Sequence, residues 1–305
     1  MSTAGPEPLG AVAHYTLLEQ LPASGPGDLF RARDTKLGRT VTLRLLPADY
    51  ASTPADRKQI VDTARALGAI SHPNVAALFD AGLHGGQVYL AFEFVKGQSL
   101  RAEMGGKPLN LRRAVQTAIQ ISDALANAHA AGFLHGGLSP DSIALSAKGH
   151  AKIPVFELAA HGGFDRTEAG YKLRDYDSPE EARGQRPDDR SDVYSAAAIL
   201  FEMLTGRRPL HRGAAAPSAS NPKVSPELDA LVLRALSPTP DARQQTAADL
   251  ASELRTILGA LDARDADADE SEPVAIGVRD RTRVIVGGLV LLLLAGALMW
   301  RVTAR

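Results

Sequence analysis

The chain contains no cysteine, and aromatic residues account for only 5% of its 305 residues. Without cysteine it can form no disulfide, no thiolate zinc site and no thiol nucleophile. Neither charge sign dominates, since 34 basic residues stand against 35 acidic ones. The overall charge therefore gives no reason to expect a nucleic-acid partner. A chain of this length can still bury a sizeable core, as one large domain or as two lobes.

The two ends of the chain differ in composition. Residues 1–13 are rich in Gly, Pro and Ala, predict a flexible N-terminus, and lack the basic start and apolar core of a secretory signal. Residues 284–300 (VIVGGLVLLLLAGALMW) carry no charge, have arginines on both sides and end in Trp300. A buried helix of a soluble domain would show a polar face, so this run predicts a transmembrane anchor. Because no export signal precedes the globular part, we expect it at the cytoplasmic face of the inner membrane, with a tail of residues 301–305.

The hydrophobic pattern divides the rest of the chain into two parts. Residues 14–95 contain short apolar runs typical of β-strands, interrupted by one helix predicted over residues 54–70. In residues 96–261 the apolar positions recur mostly at helical spacing. Residues 262–283 open with an acidic run and predict a solvated linker before the anchor. The pattern therefore predicts an α+β fold with a β-rich lobe followed by a helical lobe.

Three longer stretches carry a family resemblance. They are SHPNVAALFDAG at 71–82, YLAFEFVKGQSL at 89–100 and YDSPEEARGQRPDDRSDVYSAAAILFEMLTGRRPL at 176–210. In this order and spacing they resemble the protein kinase family, in particular bacterial membrane-anchored Ser/Thr kinases, over residues 14–261. The resemblance implies a bilobal kinase fold in which a nucleotide and magnesium bind between the lobes of active members.

The loop that bears the catalytic groups in this family has lost its charged residues. In FLHGGLSPDSIAL at 133–145, the resemblance places the family's catalytic Asp at Gly137, its loop Lys at Ser139 and its metal-binding Asn at Ser142. Glycine cannot orient a hydroxyl or accept its proton. General-base assistance is commonly worth about 10²–10⁴-fold in rate, so its loss is severe.

Other catalytic positions implied by the resemblance also differ. Val155 takes the place of the principal metal-binding Asp, and Glu157 replaces a Gly. Valine offers no oxygen to magnesium, so no metal site is expected. Leu173 replaces a Thr in the substrate-docking turn. The Lys–Glu ion pair of active members falls on Arg44 and Thr63, and arginine is not a conservative substitute for lysine.

The nucleotide pocket is predicted to be degenerate. Of the three glycines in the family's phosphate-covering loop only Gly27 is present, because Pro22 and Ser24 occupy the other positions. Proline fixes φ and removes a backbone donor. No firmly bound cofactor is therefore expected, and weak, metal-independent ATP binding at the adenine end is the alternative. The predicted pocket residues are Pro22, Ser24, Gly27, Leu29, Thr42, Arg44, Phe92, Glu93, Val95 and Ala144.

The positions that stabilise the family's fold are retained. Glu180 and Arg243 match a buried salt bridge of the helical lobe, and Asp192 matches the helix Asp that organises the catalytic-loop backbone. His135 and Phe156 match packing residues. Retained structural residues together with replaced catalytic residues are the pattern of a pseudokinase.

Three functions remain open at this point. The first is a membrane-tethered scaffold or allosteric regulator whose partners are proteins, such as an active kinase or a phosphoprotein-binding protein. The second is an atypical Ser/Thr kinase with weak ATP-dependent transfer, using Arg44 with Asp141 or Glu157 in displaced roles. The third is a docking platform phosphorylated at Thr167 or Thr282, since phosphate creates sites for arginine.

Overall fold

The computed structural model describes residues 8–23, 26–153, 175–209 and 214–271, the last seven without their side chains. Up to Leu261 the chain forms one compact unit. Several predictions lie outside the described residues: the anchor at 284–300, the tail at 301–305, Ser24, Val155, Phe156, Glu157, Thr167, Leu173 and Thr282. Within the described residues, no helix is both long enough and apolar enough to cross a bilayer.

The first part of the chain is an antiparallel sheet with one helix packed on it. Its six strands follow the spatial order β1-β2-β3-β4-β6-β5. The strands are β1 (Gly10–Val12), β2 (Tyr15–Leu21), β3 (Asp28–Asp34), β4 (Arg39–Leu45), β5 (Leu78–His84) and β6 (Gln87–Glu93). Helix α1 (Pro54–Leu67) begins at a capping box formed by Thr53 and Asp56 and buries Ile60, Val61 and Ala64.

The sheet is buried on both faces by different clusters. One face packs against α1 through Leu46, Leu90 and Phe92 together with the buried helix residues. The other face is covered by the aromatic and aliphatic side chains around Tyr15 and Leu43. Because alternate residues of a strand point to opposite faces, Thr42 and Arg44 of β4 share the face of their partners Phe92 and Leu90.

The second part is helical, apart from a small three-stranded sheet of order β7-β8-β9. Its strands are β7 (Gly97–Ser99), β8 (Ala144–Ser146) and β9 (Ala151–Lys152). Its helices are α2 (Leu100–Met104), α3 (Leu111–Ala130), α4 (Pro179–Ala182), α5 (Asp189–Thr205), α6 (Pro226–Ala235) and α7 (Ala247–Ser271). Every residue of α5 from Ser191 to Thr205 is buried, so this helix is the centre of the lobe.

Three boundaries differ from the prediction. Residues 10–12, predicted as flexible, form β1, which turns back onto β2 at Ala13, a non-glycine residue with φ of +51°. Helix α1 ends at Leu67 instead of residue 70. Helix α7 continues through residues 262–271 of the predicted linker, because that acidic segment contains neither Gly nor Pro and its alanines favour helix.

Candidate functional site

A buried carboxylate holds the loop that precedes β8. Asp192 lies in the first turn of α5 and is 2% exposed. Its two oxygens accept hydrogen bonds from the backbone N–H groups of His135, at 2.7 Å, and Gly136, at 2.9 Å. Burial alone would raise the pKa of Asp192, but the hydrogen bond with His129 and these amides outweigh it and lower the pKa. The carboxylate is therefore ionised and fixes the backbone at the start of the loop.

The imidazole of His129 completes this arrangement from the end of α3. Its Nε2 lies 2.8 Å from an oxygen of Asp192. Burial would lower the pKa of His129, but the hydrogen bond and the charge of Asp192, together with nearby Asp189, raise it. The sequence predicted a role for Asp192 and none for His129. A histidine in the last turn of a helix gives no sequence signal of its partner 63 residues away.

The next part of the loop satisfies its polar groups internally. The hydroxyl of Ser142 donates to the carbonyl oxygen of Ser139 at 2.8 Å and accepts from the amide of Ser139 at 3.0 Å. Gly137 contributes no side chain, and Leu138 packs into the core at 2% exposure. The hydroxyl of Ser142 thus closes a turn, and among residues 137–142 only Asp141 carries a charge.

That one carboxylate belongs to a cluster centred on an arginine. Arg101 of α2 lies 3.3 Å, through Nε, from an oxygen of Asp141 and 2.6 Å, through Nη1, from Glu202 of α5. The hydroxyl of Tyr176 accepts from Arg101 and donates to Glu202. Burial and the contact with Glu202 raise the pKa of Tyr176. The sequence analysis missed Arg101, Tyr176 and Glu202, because ion pairs between distant segments leave no periodic pattern.

At the predicted position of the family's Glu, Thr63 offers Arg44 no carboxylate. Thr63 is a half-buried, uncharged residue of α1. The preceding residue, Asp62, faces solvent and pairs with Lys58 at 2.7 Å and Arg65 at 3.8 Å. Arg44 is buried at 6% exposure and donates from Nη1 to the carbonyl oxygen of Pro26 at 3.1 Å. The structure therefore joins Arg44 to the β2–β3 connection.

The segment after β6 is anchored by a residue that the sequence analysis did not identify. Lys152 of β9 donates to both carboxylate oxygens of Glu93, at 2.8 and 2.7 Å. Glu93 also accepts from the amide of Ala77 at 3.3 Å. These contacts join the end of the six-stranded sheet to the second lobe. Val95, two residues further along, is half-buried.

The remaining predicted pocket residues lie on neighbouring strands. Thr42 and Phe92 are buried partners on β4 and β6, with Phe92 packed toward α1. Leu29 on β3 and Ala144 on β8 are half-buried, and Pro22 is exposed after β2. Among the residues that the structure describes, no group of three acidic or imidazole side chains could hold a metal together.

A model of the protein kinase domain matches residues 15–258. The chain belongs to the protein kinase family. A probable serine/threonine-protein kinase of Streptomyces coelicolor is 31% identical over 275 residues, covering 83% of this chain and 41% of that protein. The serine/threonine-protein kinase PknB of Mycolicibacterium smegmatis is 33% identical over 264 residues, with 79% and 42% covered. The chain thus spans about two fifths of the length of these curated relatives.

The solved structures agree on the fold. The crystal structure of the Mycobacterium tuberculosis PknI kinase domain matches with a TM-score of 0.67 at 21% identity. The match covers 84% of this chain and 99% of that domain. The prediction of a bilobal protein kinase fold, with a β-rich first lobe and a helical second lobe, is confirmed. At this identity the likeness concerns the fold alone.

The helical lobe of this kinase domain contains a buried ion pair between two elements. Arg243, whose side chain is fully buried, donates to both oxygens of Glu180 in α4, at 2.6 and 2.7 Å. Ser191 adds a hydrogen bond of 2.8 Å to the same carboxylate. Burial would raise the pKa of Glu180, but Arg243 and Ser191 lower it to about 2. The pair is therefore fully ionised near neutral pH and fixes α4 against the segment before α7.

Proposed function

We propose that this kinase domain is a pseudokinase, which acts as a signalling scaffold or allosteric regulator instead of as an efficient phosphoryl-transfer enzyme. The observation that carries the proposal is the loop at residues 137–142. Gly137 has no side chain there, and the hydroxyl of Ser142 is already bound to Ser139 on both its donor and acceptor sides. Gly137 therefore supplies no general base and Ser142 no free metal ligand, at the positions where active members carry these groups. Phosphoryl transfer depends on both.

The experiment is a phosphoryl-transfer assay on the full chain with radiolabelled ATP, a generic basic protein substrate, and magnesium or manganese. The expected result is incorporation no greater than that of a heat-denatured sample. Metal-dependent transfer at the rate of an active relative such as PknB, measured in parallel, would refute the proposal. The active relative also serves as the positive control for the assay.

A second candidate is an atypical Ser/Thr kinase with weak transfer. It is favoured by identities of 31% and 33% with serine/threonine-protein kinases. It is also favoured by Asp141, whose side chain is 51% exposed in the same loop. The contact with Arg101 opposes it, because the guanidinium occupies the carboxylate that a substrate hydroxyl would have to reach.

The variant Asp141→Asn tests this second candidate. If Asp141 is a displaced catalytic group, the substitution abolishes any slow transfer that the wild-type chain retains. The matched control is Asp123→Asn, since Asp123 is also an aspartate paired with an exposed arginine, Arg255 of α7. Equal residual activity in both variants removes Asp141 as a candidate.

The place of the domain in the cell is also part of the proposal. We infer that residues 284–300 anchor the chain in the inner membrane and that the domain meets protein partners at the cytoplasmic face. The apolar composition of these residues and the arginines around them support this inference.

Phosphorylation at Thr167 or Thr282 would make the chain a docking platform. Intact-mass measurement of protein from native membranes detects the added phosphate, and an unmodified mass excludes this role.

A further inference from the structure

The helical lobe contains a surface cavity that shares no lining residue with the candidate site described above. It has a volume of about 480 Å³ and lies between strand β7, helices α2 and α3, and the turn from β8 to β9. The polar and charged side chains that line it are Gln98, Glu103, Arg113, Ser146 and Lys148. None of them is a position that the family resemblance assigns to nucleotide binding or catalysis, so the cavity calls for a separate explanation.

The arginine at this cavity is short of acceptors. Nη2 of Arg113 lies 3.5 Å from a carboxylate oxygen of Glu103, which is beyond the usual length of a hydrogen bond. Its Nε is buried and has no acceptor among the residues that the structure describes. A guanidinium carries five N–H donors and no acceptor, and a buried donor without a partner destabilises the fold. Arg113 therefore gains from an additional oxygen ligand.

The turn from β8 to β9 fixes the position of this arginine. Gly149 has φ of +78°, and a Cβ placed on it would lie 2.2 Å from Nη1 of Arg113. Glycine at this position therefore allows the guanidinium to lie directly against the turn. The amide of Gly149 donates to the carbonyl oxygen of Ser146 at 2.7 Å, which closes the turn. The guanidinium is thus held beside the residue that follows Lys148.

The basic groups around the cavity outnumber the acidic ones. Among the lining residues Glu103 is the only carboxylate, and it already faces Arg113. Because β7 and β8 are antiparallel, Lys96 before β7 and Lys148 after β8 lie at the same end of this strand pair. Both lysines are exposed, and neither makes an ion pair within the described residues. An anion in the cavity therefore meets an excess of positive charge and unused N–H donors.

We propose that this cavity is a docking site for an acidic segment of a protein partner, whose carboxylates bind Arg113 and Lys148. This inference rests on the proposed function and deepens it, because it names the chemistry of the partner that a scaffold or regulator would hold. A carboxylate accepts two parallel N–H bonds from one guanidinium, which suits the donors of Arg113. A lipid surface fits less well, because a flat bilayer reaches exposed lysines but not a concave site whose arginine side chain is only 35% exposed.

The test is fluorescence anisotropy of a fluorescein-labelled hexaglutamate peptide, titrated with the full chain in the absence of nucleotide. Hexaglutamine with the same label has the same length without the charge. We expect saturable binding of hexaglutamate only. Arg113→Gln should weaken it about ten-fold and Lys148→Gln about three-fold, because a charge-assisted hydrogen bond is stronger than an exposed ion pair.

Each variant has a matched control that should bind hexaglutamate as the wild-type chain does. Arg255→Gln removes another arginine that faces a carboxylate, that of Asp123. Lys36→Gln removes another exposed lysine of a turn between two strands. Lys148 is exposed, so its substitution tests the cavity without disturbing the core and remains informative if Arg113→Gln lowers the melting temperature.

Three results would overturn the proposal. The first is no saturable binding of hexaglutamate, or equal binding of the two peptides. The second is hexaglutamate binding that Arg113→Gln and Lys148→Gln leave unchanged. The third is preference for phosphatidylserine over phosphatidylcholine vesicles, lost in Lys148→Gln and without peptide binding, which would make this surface a lipid contact. Hexaglutamate contains no hydroxyl side chain that could accept phosphate, so this inference and the proposed function fail separately.

Discussion

At the scale of single residues, the buried pair of His129 and Asp192 couples the loop before β8 to the ionisation of one imidazole. The two ring-to-carboxylate atoms lie 2.8 Å apart, and both side chains are almost inaccessible to solvent. The pKa of His129 is raised and that of Asp192 is lowered, after burial has acted in the opposite direction on each. The pair therefore contributes stability only where both partners are charged.

The first prediction follows from the signs of these two shifts. Because the folded-state pKa of His129 lies above its ordinary value of 6.5, its contribution is complete below that pH and is lost as the pH rises through the raised value. We expect the free energy of unfolding, measured in urea, to fall from pH 6 to pH 8.5 in the wild-type chain. In His129→Gln this fall should disappear. His84→Gln, which changes an exposed histidine of β5, should keep it, and an unchanged pH dependence in His129→Gln would contradict the assignment.

The second prediction concerns the ion pair of Glu180 and Arg243. Removal of Arg243 leaves a buried carboxylate without its partner, which typically costs about 3–5 kcal/mol. We therefore expect Arg243→Met to lower the free energy of unfolding by that amount in urea titrations. Arg255→Met removes an exposed arginine from its contact with Asp123 and should cost about 1 kcal/mol or less. Similar losses in the two variants would mean that the buried ion pair stabilises the fold no more than the exposed pair does.

At the scale of elements, one glutamine joins a helix, a loop and a strand. The side-chain oxygen of Gln120, in α3, accepts from the amide of Ala151 at 2.7 Å and from Asn74 at 3.2 Å. Asn74 also donates to the carbonyl oxygen of Ala151 at 2.7 Å. The main chain of the 74–76 segment pairs with Ile153 as well. These bonds place β9 on α3 and join it to the 74–76 segment.

The third prediction is that Gln120→Leu destabilises this junction. The amide of Ala151 would be left buried without an acceptor, which costs about 1–3 kcal/mol. The measurement is urea unfolding together with hydrogen exchange of the Ala151 amide, which should become faster. Gln116→Leu, one turn earlier and exposed on the same helix, is the control and should leave both quantities nearly unchanged. Unaltered exchange at Ala151 would show that Gln120 does not hold the strand.

Elements were predictable from sequence where one pattern dominates. The apolar spacing of α3 and the strand runs of β4 and β6 indicate their structure directly. Strand β1 was not predictable, because its turn depends on Ala13 in a conformation that alanine rarely adopts. The site followed the same division. Family motifs predicted site positions at Gly137 and Ser142, whereas Arg101 and Lys152 act through partners that only the folded chain brings near.

At the scale of the whole molecule, the proposed function distinguishes two groups among the positions that the family resemblance implies: those that hold the fold and those that carry the chemistry. The groups that hold the kinase fold are present as contacts, such as the bonds of Asp192 to the loop backbone and of Arg243 to Glu180. At the positions that the family resemblance assigns to the chemistry, the hydroxyl of Ser142 and the guanidinium of Arg44 bind within the protein, and Gly137 has no side chain. The proposed function accordingly places the role of the domain at its surface, because a fold does not by itself imply a function.

The last prediction concerns the relation between this fold and the C-terminal segment. The core of the helical lobe includes Leu254 in α7, and its partly buried margin reaches Leu261. No described core residue lies beyond it. We expect a chain ending at residue 271, which keeps every described element, to melt within about 1–2 °C of the full chain and, under the proposed membrane anchoring, to leave the membrane fraction on cell lysis. Replacing three leucines of the 284–300 run by arginine should release the full chain equally, since each central arginine costs about 2.5–3.5 kcal/mol of insertion. Retention of either variant in washed membranes would show that another surface of the domain holds it there.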